Sequence, residues 1–151
     1  MVCFCGVVLF GAPFLPTLKP QIQAAFDVSQ LKEGQTMLEL GCGDGRVVLA
    51  AAKQGVKVIG YELNPILALV AWYRTRRYRK NAKIICGDFW KKTWPEADVI
   101  FVFLLDKYME KLNKRCVQYP YKPVKLVSFA FKIKDLSPVA ENHGVMLYEY
   151  K

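Results

Sequence analysis

The stretch "LELGCGDGRVVLAAAKQGVKVIGYELNP", Leu38 to Pro65, decides the reading of this chain. Three glycines, Gly41, Gly43 and Gly45, fall within five residues, after an apolar run and before an Ala/Val-rich segment. An acid, Glu62, stands 17 residues beyond Gly45, at the end of a second apolar run. Strand, glycine turn, helix and strand in that order form the unit of an open parallel sheet. In such a sheet the ligand crevice lies beyond the carboxyl ends of the strands, so Gly41 to Gly45 is the expected floor of a site.

Outward from that stretch the alternation continues. "QTMLEL" and "VKVIGYE" read as buried strands, and Arg46 to Lys53 as a short helix between them. Pro65 to Arg79 reads as a longer helix, with Ile66, Leu69, Val70 and Tyr73 at the spacing of an apolar stripe. Upstream, the Pro-punctuated "GAPFLPT" leads into a helix over Leu18 to Val28, with Thr17 placed to cap it. Downstream, "AKIICGD" and "ADVIFVFLL" are strands joined by the Trp-rich "FWKKTWPE". Asp106 to Cys116 is a helix, and "VKLVSFAFKI" and the tail "GVMLYEYK" are the last strands. The expected fold is α/β, a Rossmann-like, doubly wound and mainly parallel sheet in one minimal domain over residues 18–151.

The 151 residues suffice for one core, and a hydrophobic fraction of 53% argues against disorder. Lys plus Arg number 22 against 13 Asp plus Glu, a net charge of +9 that calls for an anionic neighbour. Five cysteines without metal-like spacing argue against a disulfide framework and against a metal site. Cys42, Cys86 and Cys116 sit in apolar elements, where buried thiols are expected. The apolar "MVCFCGVVLF" at the start is shorter than the roughly 20 residues of a membrane span. Two readings of it stay open, a buried element and a membrane-touching remnant.

The glycine loop is not a dinucleotide fingerprint, which needs G-x-G-x-x-G, nor a phosphate loop, which ends in Gly-Lys-Ser/Thr. Glu39 and Asp44 would repel a pyrophosphate and favour a cationic end. Glu62 is placed to accept both hydroxyls of a ribose. Asp88 ends the third strand, where it or its neighbours meet an adenine amino group, and Phe89 and Trp90 offer a face for the ring. A ribose, an adenine, a cationic amino-acid end and no phosphate describe S-adenosylmethionine.

"LELGCGDGRV", "GYELNP" and "GDFW" resemble successive motifs of the class I, seven-strand methyltransferases. With those motifs, Cys42, Leu63 and Asn64 join the expected cofactor site beside Glu39, Gly41, Gly43, Asp44, Gly45, Glu62, Asp88, Phe89 and Trp90. From Pro13 to Met109 the chain is similar to the ATP synthase c-subunit lysine methyltransferases and their small prokaryotic relatives, through "PFLPT", "GDGR", "ELNP" and "GDFWK" in that order. That likeness implies transfer of methyl to a lysine ε-amino group of a protein, in some members a membrane protein, leaving S-adenosylhomocysteine. It also implies that residues 1–17 form an apolar segment and loop on the substrate side.

Two loops depart from the family. "FLLDKYM" lacks the expected proline after the fourth strand, and "SFAFKI" replaces an Arg/Phe/Pro/Trp-rich stretch after the fifth. Phe14, Trp90 and Phe131 are the aromatic candidates for an acceptor channel, and Asp106 the candidate to orient the amine. The competing acceptor is nucleic acid, since Arg74 to Lys92 holds eight basic residues and one acid. The Asn/Asp-Pro-Pro-aromatic signature of base methylases is missing after the fourth strand. A small-molecule acceptor is a further alternative. His143, the only histidine, lies near the tail, away from any expected base role. The expected location is cytoplasmic and peripheral at a membrane, where anionic lipid would attract the basic surface.

Overall fold

The computed structural model describes residues 15–151, so Phe14 and the N-terminal apolar run lie outside the described residues. Helix α1 spans Lys19–Ser29, β1 Thr36–Leu40, α2 Arg46–Lys53, β2 Lys57–Glu62, α3 Pro65–Thr75 and β3 Ala82–Cys86. Then come β4 Val99–Val102, α4 Met109–Val117, β5 Val124–Phe129, β6 Ala140–Asn142 and β7 Val145–Tyr150. Single 3-10 turns occupy Arg76–Tyr78, Phe89–Lys91 and Asp106–Tyr108.

One seven-stranded sheet runs in the order β3-β2-β1-β4-β5-β7-β6. β1 to β5 are parallel, and β7 pairs antiparallel with both β5 and β6. Strand order reverses between β1 and β4. Leu40 pairs with Tyr61 and Val102, and Val102 with Ser128, so the carboxyl ends of four strands stand level. A crevice therefore opens above β1 and β4.

The apolar strands are covered on both faces. On one, Met37, Val58, Val99 and Phe101 pack against α1, α2 and α3 through Phe26, Val47, Val48 and Ala71. On the other, Leu38, Leu40, Ile100 and Leu126 meet Met109, Leu112 and Cys116 of α4, together with Trp94 and Tyr119. Leu38, Leu40, Ile100, Leu112 and Leu126 lose all contact with solvent, each contributing about 1.5–3 kcal/mol of burial.

Several expectations need correction. Thr17 is buried and does not cap α1; Leu18 takes the cap position, with a proline in the first turn. α3 ends at Thr75, whose hydroxyl bonds back to the Ala71 carbonyl at 2.8 Å, and the chain tightens into the 3-10 turn. Like charges at Arg76, Arg77, Arg79 and Lys80 disfavour another helical turn. Ile66, Leu69, Val70 and Tyr73 of α3 are exposed, while Ala68, Ala71 and Thr75 face inward. Cys86 is exposed, because it ends the edge strand β3. The hairpin partner β6 is an additional strand. His143 and Gly144, both at positive φ (50° and 75°), make its two-residue turn.

Candidate functional site

Gly41, Gly43 and Gly45 all adopt positive φ, at 87°, 54° and 79°. The three do different work. A Cβ on Gly41 would meet nothing within 4 Å, so the backbone there is bare toward the crevice. A Cβ on Gly45 would lie 2.8 Å from both Cα and Cβ of Ala71, so this glycine exists to let α3 pass close to the start of α2. Gly45 is thus a packing residue as well as the last glycine of the loop expected to meet the cofactor. Cys42 is buried against Gly60 of β2, and burial pushes its thiol far above the ordinary range. It supports the loop from below.

Glu62 joins the loops around the crevice. Its Oε2 accepts the Gly43 N–H at 2.8 Å and its Oε1 the Asn64 N–H at 2.8 Å. The Gly41 and Cys42 amides donate to the Tyr61 carbonyl, and the Gly87 amide to the Glu62 carbonyl. One acid thereby binds the turns after β1 and β2, and its backbone receives the turn after β3. Each carboxylate oxygen keeps a second lone pair for a ligand. Asn64 caps α3, its Oδ1 accepting from Ile66 and Leu67, with Pro65 in the first turn. Its side chain is occupied in that cap, and Leu63 stands exposed at the rim.

The two acids of the glycine stretch diverge. Burial pushes Asp44 up, but Arg46 outweighs this through Nε and Nη2 (3.1 and 2.9 Å), helped by Arg74 at 3.0 Å. The net result is a carboxyl held below the usual range. Asp44 is a strut between α2 and α3, its charge shared with Arg46 and Arg74. Glu39 is the opposite case. It is buried with Oε2 unpartnered among the described residues. Burial above all, then the nearby Asp44 and Glu62 carboxylates, raise it well above the ordinary range. A buried acid short of a donor is suited to a cationic group.

Asp88 caps the turn Phe89–Lys91, its Oδ1 accepting the Trp90 N–H at 2.9 Å. Phe89 and Trp90 stand with ring centroids 4.7 Å apart. The buried Trp94 steadies them, its Nε1 donating to the Phe89 carbonyl. Arg115 of α4 donates to the Trp90 carbonyl and lies over the Trp94 ring, and Lys111 sits 4.4 Å from the Trp90 ring. Trp90 also neighbours Tyr108 at 6.4 Å, in the turn headed by the exposed Asp106. Trp90 and Asp106 therefore come to the same side of the crevice. Phe131 is half-buried against the core on the same face of the sheet, its carbonyl accepting from the Ser128 hydroxyl.

Sequence reasoning missed Arg46, Arg74 and Arg115, and the pair Phe103 and Phe129 (4.6 Å) beyond the ends of β4 and at the end of β5. The aromatic content of "FVFLL" and "SFAF" was the available signal for that pair.

A family model described as the ANTKMT methyltransferase domain matches residues 39–140. The ATP synthase c-subunit lysine N-methyltransferase of Homo sapiens is 30% identical over 128 residues, 83% of this chain and 54% of its own length. A protein-lysine N-methyltransferase of Saccharolobus islandicus is 28% identical across 90% of this chain and 92% of its own. An RNA methyltransferase of Salinibacter ruber, solved with S-adenosyl-L-homocysteine, superposes with a TM-score of 0.80 at 25% identity, over 90% and 92% of the two chains. Against the ATP synthase c-subunit enzymes of four vertebrates, the chain spans about half of their length.

Proposed function

The chain belongs to the ANTKMT methyltransferase-domain family, within the class I S-adenosylmethionine-dependent methyltransferases, and from that premise we propose that it methylates lysine ε-amino groups of a protein. The cofactor reading is carried by Glu39, a buried carboxylate with one oxygen lacking a donor among the described residues, beside a glycine bare toward the crevice. S-adenosylmethionine fits both features. Its cationic amino group would supply what Glu39 lacks, with Gly41 and Gly43 holding its amino-acid end. Glu62 would hold the ribose hydroxyls on its remaining lone pairs. Leu63, Phe89 and Asp88 would hold the adenine.

The bound cofactor supplies an electrophilic methyl on a sulfonium, so the chain's own task is alignment and exclusion of water. With the cofactor bound, a neutral lysine nitrogen would take the methyl as the thioether leaves as S-adenosylhomocysteine; the proton released is the one the lysine gives to solvent beforehand, and the product stays an ammonium. A lysine must first be neutral, against an unperturbed pKa of about 10.4. Aromatic walls from Trp90, Tyr108, Phe103 and Phe129 disfavour its charged form by desolvation. Asp106, exposed at the mouth, orients the incoming amine.

The protein-lysine reading draws its support from the relatives named above. A second reading, an RNA acceptor, is favoured by the Salinibacter likeness together with the net charge of +9. Labelled S-adenosylmethionine incubated with the protein and a lysate containing membranes decides between them. Methyl-lysine in the acid hydrolysate of a protein band is the expected product. Label on arginine, on a carboxylate or in RNA would overturn the lysine assignment.

A further inference from the structure

We propose that the outward face of α3, with the basic groove at its carboxyl end, docks this protein on an anionic lipid bilayer. The proposal stands apart from the choice of methyl acceptor. α3 is built in reverse of a surface helix. Its small residues Ala68 and Ala71 face the sheet, and Gly45 lets Ala71 come close. Its bulk points outward, with Ile66 58%, Leu69 65%, Trp72 58% and Tyr73 60% exposed, beside Val70 and Leu63. A contiguous apolar strip of this kind on a soluble domain marks a contact surface.

What it contacts follows from the next ten residues. Arg76, Arg77, Arg79, Lys80 and Lys83 are all exposed, and none is ion-paired among the described residues. Arg76, Arg79, Lys80 and Lys83 join Lys57 and Trp72 around a groove of about 580 Å³, with Glu96 its one acid. The groove lies at the amino ends of β2 and β3, on the far side from the crevice. Its charge suits a phosphate-bearing headgroup. Trp72 and Tyr73 stand where the apolar strip gives way to the basic cluster, the position such rings take at a membrane boundary. Each basic residue near an anionic surface adds about 1 kcal/mol of attraction, roughly fivefold in partitioning.

Two other occupants fit less well. RNA would engage the arginines and stack on Trp72, but would leave Ile66, Leu69 and Val70 in water. A second copy would bring two like-charged clusters together. A bilayer uses the aliphatic strip, the rings and the cations at once.

The test is sedimentation of the full chain with vesicles of phosphatidylcholine alone or mixed with phosphatidylglycerol, at low and at high salt. Binding to the mixed vesicles, weakened by salt, is expected. Leu69→Glu with Trp72→Glu, and separately Arg76→Glu with Arg79→Glu, should each weaken it about tenfold or more. All variants keep residues 1–14, so the difference reads α3 and not the apolar N-terminus. Unchanged circular dichroism and S-adenosylmethionine affinity would show that the variants are folded. Failure to bind mixed vesicles, or equal binding by wild type and both folded variants, would overturn the proposal. Displacement of vesicles by an RNA oligonucleotide that binds more tightly, with the same sensitivity to the arginine variants, would reassign the face to RNA. Concentration-dependent dimerisation abolished by the Leu69/Trp72 pair would reassign it to a second copy.

Discussion

Replacing Glu39 by Gln should move stability and cofactor affinity in opposite directions. In the protein without ligand, Glu39 is buried, faces Asp44 and Glu62, and has an oxygen without a donor, all of which oppose its ionised form. Its folded pKa is raised, so between the ordinary glutamate value of about 4.3 and that raised value the folded state holds a proton that the unfolded state has lost. Stability of the wild type therefore falls with rising pH in that window, by up to about 1.4 kcal/mol per unit. Gln cannot ionise. The advantage of Glu39→Gln in melting temperature should widen with pH, by about 2–4 °C for each kcal/mol at this chain length.

Binding should go the other way. Loss of a charge-assisted hydrogen bond to the cofactor's amino group costs about 1.5–3 kcal/mol, a rise in Kd of roughly tenfold to a hundredfold. In the wild type the cation favours the carboxylate, so binding below the raised pKa should release a proton from Glu39. Isothermal calorimetry in buffers of different ionisation enthalpy reads that release, and differential scanning calorimetry from acid to alkaline pH reads the stability. An unchanged Kd in Glu39→Gln, or a melting advantage that does not grow with pH, would refute the reasoning.

The glycines should separate by assay. Gly41→Ala should weaken S-adenosylmethionine binding in calorimetry more than it lowers the melting temperature, because its new methyl enters open space over the loop. Gly45→Ala should lower the melting temperature by the equivalent of about 1–3 kcal/mol, because its methyl meets Ala71 on a backbone already at positive φ. Glu62→Gln should damage both. In either amide orientation one of the Gly43 and Asn64 N–H groups faces a donor, costing about 1–3 kcal/mol in a denaturant titration besides the lost ribose contacts. Asp44 has a depressed pKa, so its stabilisation is complete above about pH 4 and is lost as pH falls through the folded value. Arg74→Met should accordingly move the acid-unfolding midpoint to higher pH, followed by circular dichroism.

Much of the framework was legible because its signals are local. The glycine turn, the apolar runs on either side and the Asn64-Pro65 start of α3 all lie within 28 residues, and the structure places them as expected. The outward turn of α3 was not legible. Ala68 and Ala71 are apolar too, so periodicity shows a stripe without showing which stripe meets the sheet. Only the close approach of Gly45 to Ala71, two elements apart, decides that small residues go inward. The pairing of Asp44 with Arg74 spans 30 residues and has no local pattern. β6 is three residues long and two of them, Glu141 and Asn142, are polar, so only its turn at His143 and Gly144 carried a signal.

α3 begins at Pro65, three residues after the acid that holds the crevice together. The helix and the mouth therefore share a wall, and an 11-residue helix is only about 16 Å long. Were α3 to lie flat on a surface, the opening would stand roughly one helix diameter, about 10 Å, above it and would face along it. The molecule would then work as a gauge of height. Side chains held in the headgroup layer would come within reach, and the same side chains carried far out on a soluble domain would not.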